Sequence, residues 1–102
     1  MKLLFDCTGF EWDKHNSEKI WLKHQGSPSE SEQIFFNMPL VVADAVKYSG
    51  RENRYYALGR TDASRQLFVV FAVQDNNIRI ISARDMSRKE RKVYKSHEKE
   101  NT

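Results

Sequence analysis

The longest apolar run in the chain covers residues 67–73 and reads Leu-Phe-Val-Val-Phe-Ala-Val without interruption. Apolar residues at successive positions, rather than at alternate ones, are typical of a strand that is covered on both faces. The run is bounded by Gln66 and Gln74. We therefore predict a central strand between these two residues, with the core built around it.

Other segments carry weaker strand patterns. They are residues 2–6, 9–12, 40–46, 54–61 and 78–84. The polar stretch 62–65 predicts a hairpin turn, and Asn76 and Asn77 tolerate the positive φ of a tight turn. The four strands from residue 40 onward therefore predict an antiparallel meander. Alternation along the last strand places Arg79 and Arg84 on opposite faces unless a bulge intervenes.

Two helices are predicted before the strands. The first is capped by Asp13 or Asn16, runs through Gln25 and presents one semi-apolar stripe. The second begins at Ser-Pro-Ser-Glu, residues 27–30, where a serine cap precedes a proline suited to the first helical position. It ends near Asn37, because a proline follows two residues later. The two helices are expected to pack as a tight pair.

A second capping box, Ser-Arg-Lys-Glu at residues 87–90, predicts a C-terminal helix. The tail at residues 98–102 is expected to fray. The predicted fold class is therefore α+β: an N-terminal helix pair followed by an antiparallel β-meander and a C-terminal helix. The length of 102 residues suits a single domain covering residues 1–102.

The charge distribution favours a polyanionic partner. The formal net charge is +3. Basic residues cluster late in the chain, where two acids, Asp85 and Glu90, lie among Arg84, Arg88, Lys89, Arg91, Lys92 and Lys95. Such a local surplus is typical of nucleic-acid binding, although a solvated helix face gives the same pattern.

Composition predicts a cytoplasmic protein without a cofactor or metal. Cys7 is the single cysteine, the apolar stretch at the N-terminus is too short for a signal peptide, and nothing approaches a membrane span. His15, His24 and His97 lack ligand-like spacing. No phosphate-cradling glycine loop, nucleophile elbow or dinucleotide fingerprint is present.

A series of short motifs carries a family resemblance. They include Phe-Glu-Trp-Asp at residues 10–13, Lys-His at 23–24, Leu-Gly-Arg at 58–60 and Ile-Ser-Ala-Arg-Asp-Met at 81–86. Residues 29–36, 67–71 and 87–91 continue the series. In order and spacing the chain resembles the BrnT toxins of bacterial type II toxin–antitoxin systems over residues 10–95, so residues 1–9 are an N-terminal extension.

The resemblance implies a fold similar to RelE-type ribonucleases and RNA cleavage that blocks translation. It also implies a BrnA-like antitoxin with a ribbon-helix-helix DNA-binding domain, in an assembly of two toxins and two antitoxins that binds operator DNA. A ribonuclease without metal can use the substrate's 2′-hydroxyl as nucleophile, which needs proton transfer and stabilisation of an anionic phosphorane. Arginine suits the second task, because it stays charged and binds phosphate in a bidentate manner.

Four residues are predicted to be catalytic: Arg84, Arg60, His24 and Lys23. Arg84 ends the last strand just before a helix start, where phosphate can meet backbone amides. A salt bridge to Asp85 or to a helix carboxylate is the alternative for Arg84, a cross-strand ion pair for Arg60, and a packed position at the core edge for His24.

Five further residues are predicted to bind RNA: Arg65, Arg88, Arg91, Tyr94 and Glu52. For Arg65 the alternative is a solvated charge in a turn, for Glu52 an ion pair, and for Tyr94 a position that docks the C-terminal helix together with Val93. A second hypothesis for the whole chain is a non-enzymatic nucleic-acid-binding or regulatory subunit, since arginines that hold phosphate look the same in both cases.

Overall fold

The computed structural model describes residues 9–11, 28–45 and 54–100. The elements in chain order are β1 (Gly9–Glu11), α1 (Pro28–Gln33), a 3-10 turn (Ile34–Phe36), β2 (Val41–Asp44), β3 (Arg54–Arg60), β4 (Gln66–Gln74), β5 (Asn77–Asp85) and α2 (Arg88–Glu100). The α+β class is confirmed, and β4 has the predicted bounds. None of the described helices is long and apolar enough to span a bilayer.

The sheet has five strands in the order β1-β5-β4-β3-β2. Strands β2 to β5 form the predicted meander, in which each pairs antiparallel with the next. Strand β1, however, pairs parallel with β5, with Phe10 opposite Ile78. The prediction of a purely antiparallel sheet is therefore wrong, because the first strand pairs with the edge of the last strand instead of a neighbour in sequence.

Of the predicted N-terminal helix pair, the structure describes only the second helix. Among the described residues one N-terminal helix is present, α1 at Pro28–Gln33, continued by the 3-10 turn to Phe36. It begins at the predicted proline and ends before Asn37, as the nearby Pro39 requires. The predicted first helix, ending at Gln25, lies outside the described residues.

The core has two parts, one on each face of the sheet. On the α1 face, Ile34 of the 3-10 turn packs with Val69, Phe71 and Ile80. On the α2 face, Tyr94 packs with a second buried cluster formed by Leu58, Phe68, Val70 and Met86. Strand β4 supplies side chains to both clusters and is buried from residue 67 to residue 72, which confirms its central position.

A β-bulge in β5 decides which arginines share a face. Val70 pairs with Ser82 but Phe71 pairs with Ile80, which leaves Ile81 as the extra residue. Paired residues point to the same face, and an extra residue reverses the alternation beyond it. Arg79 and Arg84 therefore both lie on the α2 face, because of the bulge that the sequence analysis named as the exception to alternation.

The tight turn between β4 and β5 falls one residue earlier than predicted. Asp75 and Asn76 have φ values of 52° and 62°, and Gln74 pairs with Asn77 across them. Two consecutive residues with positive φ match the twist of a hairpin, and both residue types tolerate that conformation. The turn is therefore made by Asp75 and Asn76.

Helix α2 starts where the capping box predicts. The Ser87 amide donates to Glu90 Oε1 at 2.8 Å, and the Glu90 amide donates to Ser87 Oγ at 3.2 Å. The helix continues to Glu100, so residues 98–100 of the predicted frayed tail are helical. Tyr94 anchors the helix: it is fully buried, and its hydroxyl donates to the Pro39 carbonyl at 2.7 Å.

Candidate functional site

Arg84 lies at the end of β5, on the α2 face of the sheet. Its partner in the antiparallel register is Phe68, and the guanidinium carbon sits 4.1 Å from the centre of the Phe68 ring. A cation at this distance over an aromatic ring is attracted to it electrostatically. The side chain keeps 39% of its surface exposed. The ring therefore supports one face of the guanidinium, and solvent reaches part of the group.

Glu90, in the first turn of α2, holds the edge of the same guanidinium. Arg84 Nη1 donates to Glu90 Oε1 at 2.7 Å, and Nη2 donates to Oε2 at 2.9 Å. Nη1 also donates to the Asp85 carbonyl at 3.1 Å. The hydrogen bonds from Arg84 hold the pKa of Glu90 below its ordinary value, and the Ser87 amide adds to this shift against the effect of burial. The carboxylate is therefore kept ionised and serves both the helix cap and the arginine.

These contacts correspond to the predicted alternative for Arg84, a salt bridge to a helix carboxylate. They do not remove its capacity to meet an anion, because the guanidinium is part-exposed and carries several donors in one plane. They fix its orientation, so less side-chain entropy is lost when a ligand binds. The sequence did not identify Glu90 as the helix carboxylate that pairs with Arg84, although Arg84 stands three residues before the capping box.

Arg60 lies at the end of β3 on the same face of the sheet as Arg84. Its cross-strand neighbour is Gln66, and its Nε donates to the Met38 carbonyl at 3.0 Å. The alternative predicted for Arg60 was a cross-strand ion pair. Arg60 does not form one with its cross-strand neighbour, because Gln66 is uncharged. The side chain is exposed. In the register, Arg60 lies two residues beyond Leu58, which shares a row with Phe68 and Arg84.

Arg65 is held on the opposite face of the sheet. Its Nε and Nη2 donate to the Asp85 carboxylate at 2.7 and 3.2 Å, and its Nη1 lies 3.5 Å from Glu30 Oε2. The hydrogen bond with Asp85 is the main cause that raises the pKa of Arg65. Two carboxylates thus balance its charge, and the contacts tie α1 to the end of β5. This arrangement favours a structural role over RNA binding.

The remaining predicted residues divide into three groups. Arg88 and Arg91 are exposed on α2, as RNA binding requires. Tyr94 is buried, so its ring is not available to stack on bases, and that prediction is wrong. Burial raises the pKa of its phenol, Glu98 adds to the rise and Arg60 opposes it. His24, Lys23 and Glu52 lie outside the described residues.

The structure therefore brings Arg84, Arg60 and the basic side of α2 to one face and one end of the sheet. Within the part of the chain that the structure describes, no group of three His, Cys, Asp or Glu side chains has the arrangement of a metal site. This face carries Arg84, whose orientation is fixed, together with Arg60 and the exposed cations of α2. Such a set of cations is suited to binding phosphate.

Comparison with known proteins decides the family. The family model described as "Ribonuclease toxin, BrnT, of type II toxin-antitoxin system" matches residues 12–90, a region that includes Arg84 and Glu90. The chain belongs to the BrnT family. The crystal structure of the BrnT ribonuclease toxin from Brucella abortus, at 1.1 Å resolution, has a similar fold, with a TM-score of 0.60 and 18% identity. The match covers 79% of this chain and 99% of the Brucella chain. No protein with curated annotation matches the chain.

Proposed function

We propose that this BrnT-family protein is the toxin of its type II toxin–antitoxin system and cleaves RNA by attack of a 2′-hydroxyl, without a metal ion. The observation that carries the proposal is Arg84, a part-exposed guanidinium held in one orientation by Glu90 and Phe68. The site lies within the region matched by a family of ribonuclease toxins.

The proposed reaction follows from the substrate's own chemistry. The 2′-oxygen bonds to the adjacent phosphorus, the bond from phosphorus to the 5′-oxygen breaks, and a 2′,3′-cyclic phosphate remains. A base takes the 2′-hydroxyl proton and an acid returns a proton to the leaving 5′-oxygen. Lys23 and His24 are our candidates for these transfers, since the pKa of histidine falls near working pH. DNA lacks the nucleophile and is not a substrate.

Arg84 is proposed to stabilise the crowded, anionic phosphorane. Fixed donors stabilise developing charge at little reorganisation cost, which is how oxyanion holes accelerate acyl transfer. Arg60, on the same face, is proposed to hold a neighbouring phosphate. Glu90 is a positioning residue in this scheme: it acts through the orientation of Arg84.

Cleavage of RNA in the cytoplasm is proposed to block translation, which makes an inhibitor necessary. We propose that this inhibitor is a BrnA-like ribbon-helix-helix antitoxin, that two toxins and two antitoxins assemble, and that the complex binds operator DNA. An acidic segment of the antitoxin would be steered to the Arg84 end of the sheet and exclude RNA from it. A co-purified complex should then lack the activity of the free protein.

The test of the function is a pair of arginine variants on one strand. Arg84→Ala should lose growth arrest on induced expression and lower the RNA cleavage rate on the order of 10²-fold, the usual cost of one such donor. Arg79→Ala is the matched control, because Arg79 lies on the same face of β5 and donates to Gln74. A folded Arg84→Ala protein with full activity would remove Arg84 from the site. If the wild-type protein binds RNA and cleaves none, it is the non-enzymatic subunit instead.

A further inference from the structure

A groove runs along helix α2 outside the region around Arg84. Arg91, Lys95 and Lys99 line it from the helix, together with Glu98, and Gln66 lines it from the start of β4. We propose that this groove binds the sugar-phosphate backbone of single-stranded RNA beyond the cleaved bond. The inference rests on the proposed function in one respect: it takes RNA as the substrate.

The three cations form a regular series. They stand four residues apart, so they follow one side of the helix, and each step advances about 6 Å along its axis. A single RNA strand carries one phosphate per nucleotide at a comparable interval. Proteins that bind single strands without reading sequence use a positively charged groove that tracks the backbone in this way.

The charge of the groove suits a polyanion. Three cations and one carboxylate leave a net charge of +2 among its lining residues. Glu90, in the first turn of α2, does not lower the positive charge available in the groove, because its carboxylate is paired with Arg84. The side chains of Arg91, Lys95 and Lys99 are exposed. Because these cations lie at the ends of long, exposed side chains, they can adjust to a flexible RNA backbone. The Gln66 amide adds an uncharged hydrogen-bond donor.

The groove and the candidate site are built from neighbouring residues of β4 and α2. Gln66 stands two residues before Phe68, which supports Arg84, and Arg91 directly follows Glu90. An RNA strand that passes Arg84 can therefore continue along α2. Among the described residues no apolar side chain lines the groove. Protein interfaces are usually anchored by buried aromatic or aliphatic residues, and the described lining residues of the groove include none, which favours RNA over an acidic polypeptide.

The test compares two lysine pairs on the same helix. Lys95→Ala/Lys99→Ala removes two cations of the groove, and Lys89→Ala/Lys92→Ala is the matched control, with equal charge loss at exposed positions outside the groove. The probe is a single-stranded 2′-O-methyl oligoribonucleotide, which lacks the proposed nucleophile and stays intact. Binding is measured over a range of salt concentrations, with the fold checked by circular dichroism.

For single strands the logarithm of the binding constant falls with the logarithm of salt by about 0.7 per phosphate contacted. The groove variant should therefore lower the magnitude of this slope by about 1.4, from two lost contacts. The control should change it by much less. Equal slopes in both variants would overturn the proposal. A groove variant that binds RNA as wild type does but no longer binds the antitoxin would also overturn it. A wild-type protein that cleaves no RNA would refute the proposed function and leave this binding result standing.

Discussion

The contact between Arg84 and Glu90 should be visible as a stability coupling. Glu90→Ala removes three hydrogen bonds from the carboxylate: two from Arg84, at 2.7 and 2.9 Å, and one from the Ser87 amide, at 2.8 Å. Loss of the carboxylate half of the capping box, the bond from the Ser87 amide, costs about 1 kcal/mol. The ion pair adds up to about 1 kcal/mol after allowance for solvent screening, since 39% of the Arg84 side chain is exposed. Glu90→Ala should therefore lower the free energy of unfolding by about 2 kcal/mol.

Urea denaturation at neutral pH measures this loss, and Ser87→Ala is the control. Ser87→Ala removes the hydroxyl half of the capping box and leaves the Glu90 carboxylate bound to Arg84 and to the backbone amide of residue 87, so it should cost about 1 kcal/mol. The double variant Arg84→Ala/Glu90→Ala should then show a coupling energy on the order of 1 kcal/mol. If the effects of the two single substitutions add to within about 0.3 kcal/mol, the contact contributes nothing and Glu90 does not position Arg84.

Three further outcomes follow from described contacts. Because the pKa of Glu90 is lowered in the folded protein, the stabilisation by its carboxylate should be complete above pH 4.5, the ordinary pKa of the group, and fade as the pH falls below that value. Denaturation of wild type and Glu90→Gln at several pH values measures this, and a difference in unfolding free energy that does not change with pH would contradict it. Tyr94→Phe should cost about 1 kcal/mol in thermal unfolding by leaving the buried Pro39 carbonyl without its donor, and an unchanged Tm would contradict that. Gly59→Ala should cost about 1–3 kcal/mol, since the new Cβ would lie 2.7 Å from Ile34 Cβ; a variant as stable as wild type in urea would contradict the close packing.

The antiparallel part of the fold could be predicted because its signals are local. The apolar run of β4 identifies a central strand, and the capping box at Ser87 fixes the start of α2. The parallel pairing of β1 with β5 could not be predicted, since a three-residue strand carries no mark of a partner far away in sequence. The bulge at Ile81 also has no sequence signal, because no glycine or proline marks it.

For the candidate site, the sequence allowed individual residues to be proposed, but it did not show which side chains hold them in place. Arg84 was proposed from the family resemblance and from its place before a helix start, and the structure adds that Glu90 and Phe68 orient it. Tyr94 was assigned to RNA because an aromatic residue near basic residues suggests stacking. The alternative, that Tyr94 docks the helix, is the one the structure shows, whereas Val93, named with it, is exposed.

The most direct test of the central claim is the chemical identity of the cleavage product. We expect the purified protein to cleave an oligoribonucleotide in the presence of EDTA and to leave a 2′,3′-cyclic phosphate, which mass spectrometry distinguishes from a hydrolysed end. A substrate with a 2′-deoxynucleotide at the cleaved position should resist. Cleavage that stops with EDTA, returns with a divalent ion and proceeds at the 2′-deoxy position would contradict the mechanism.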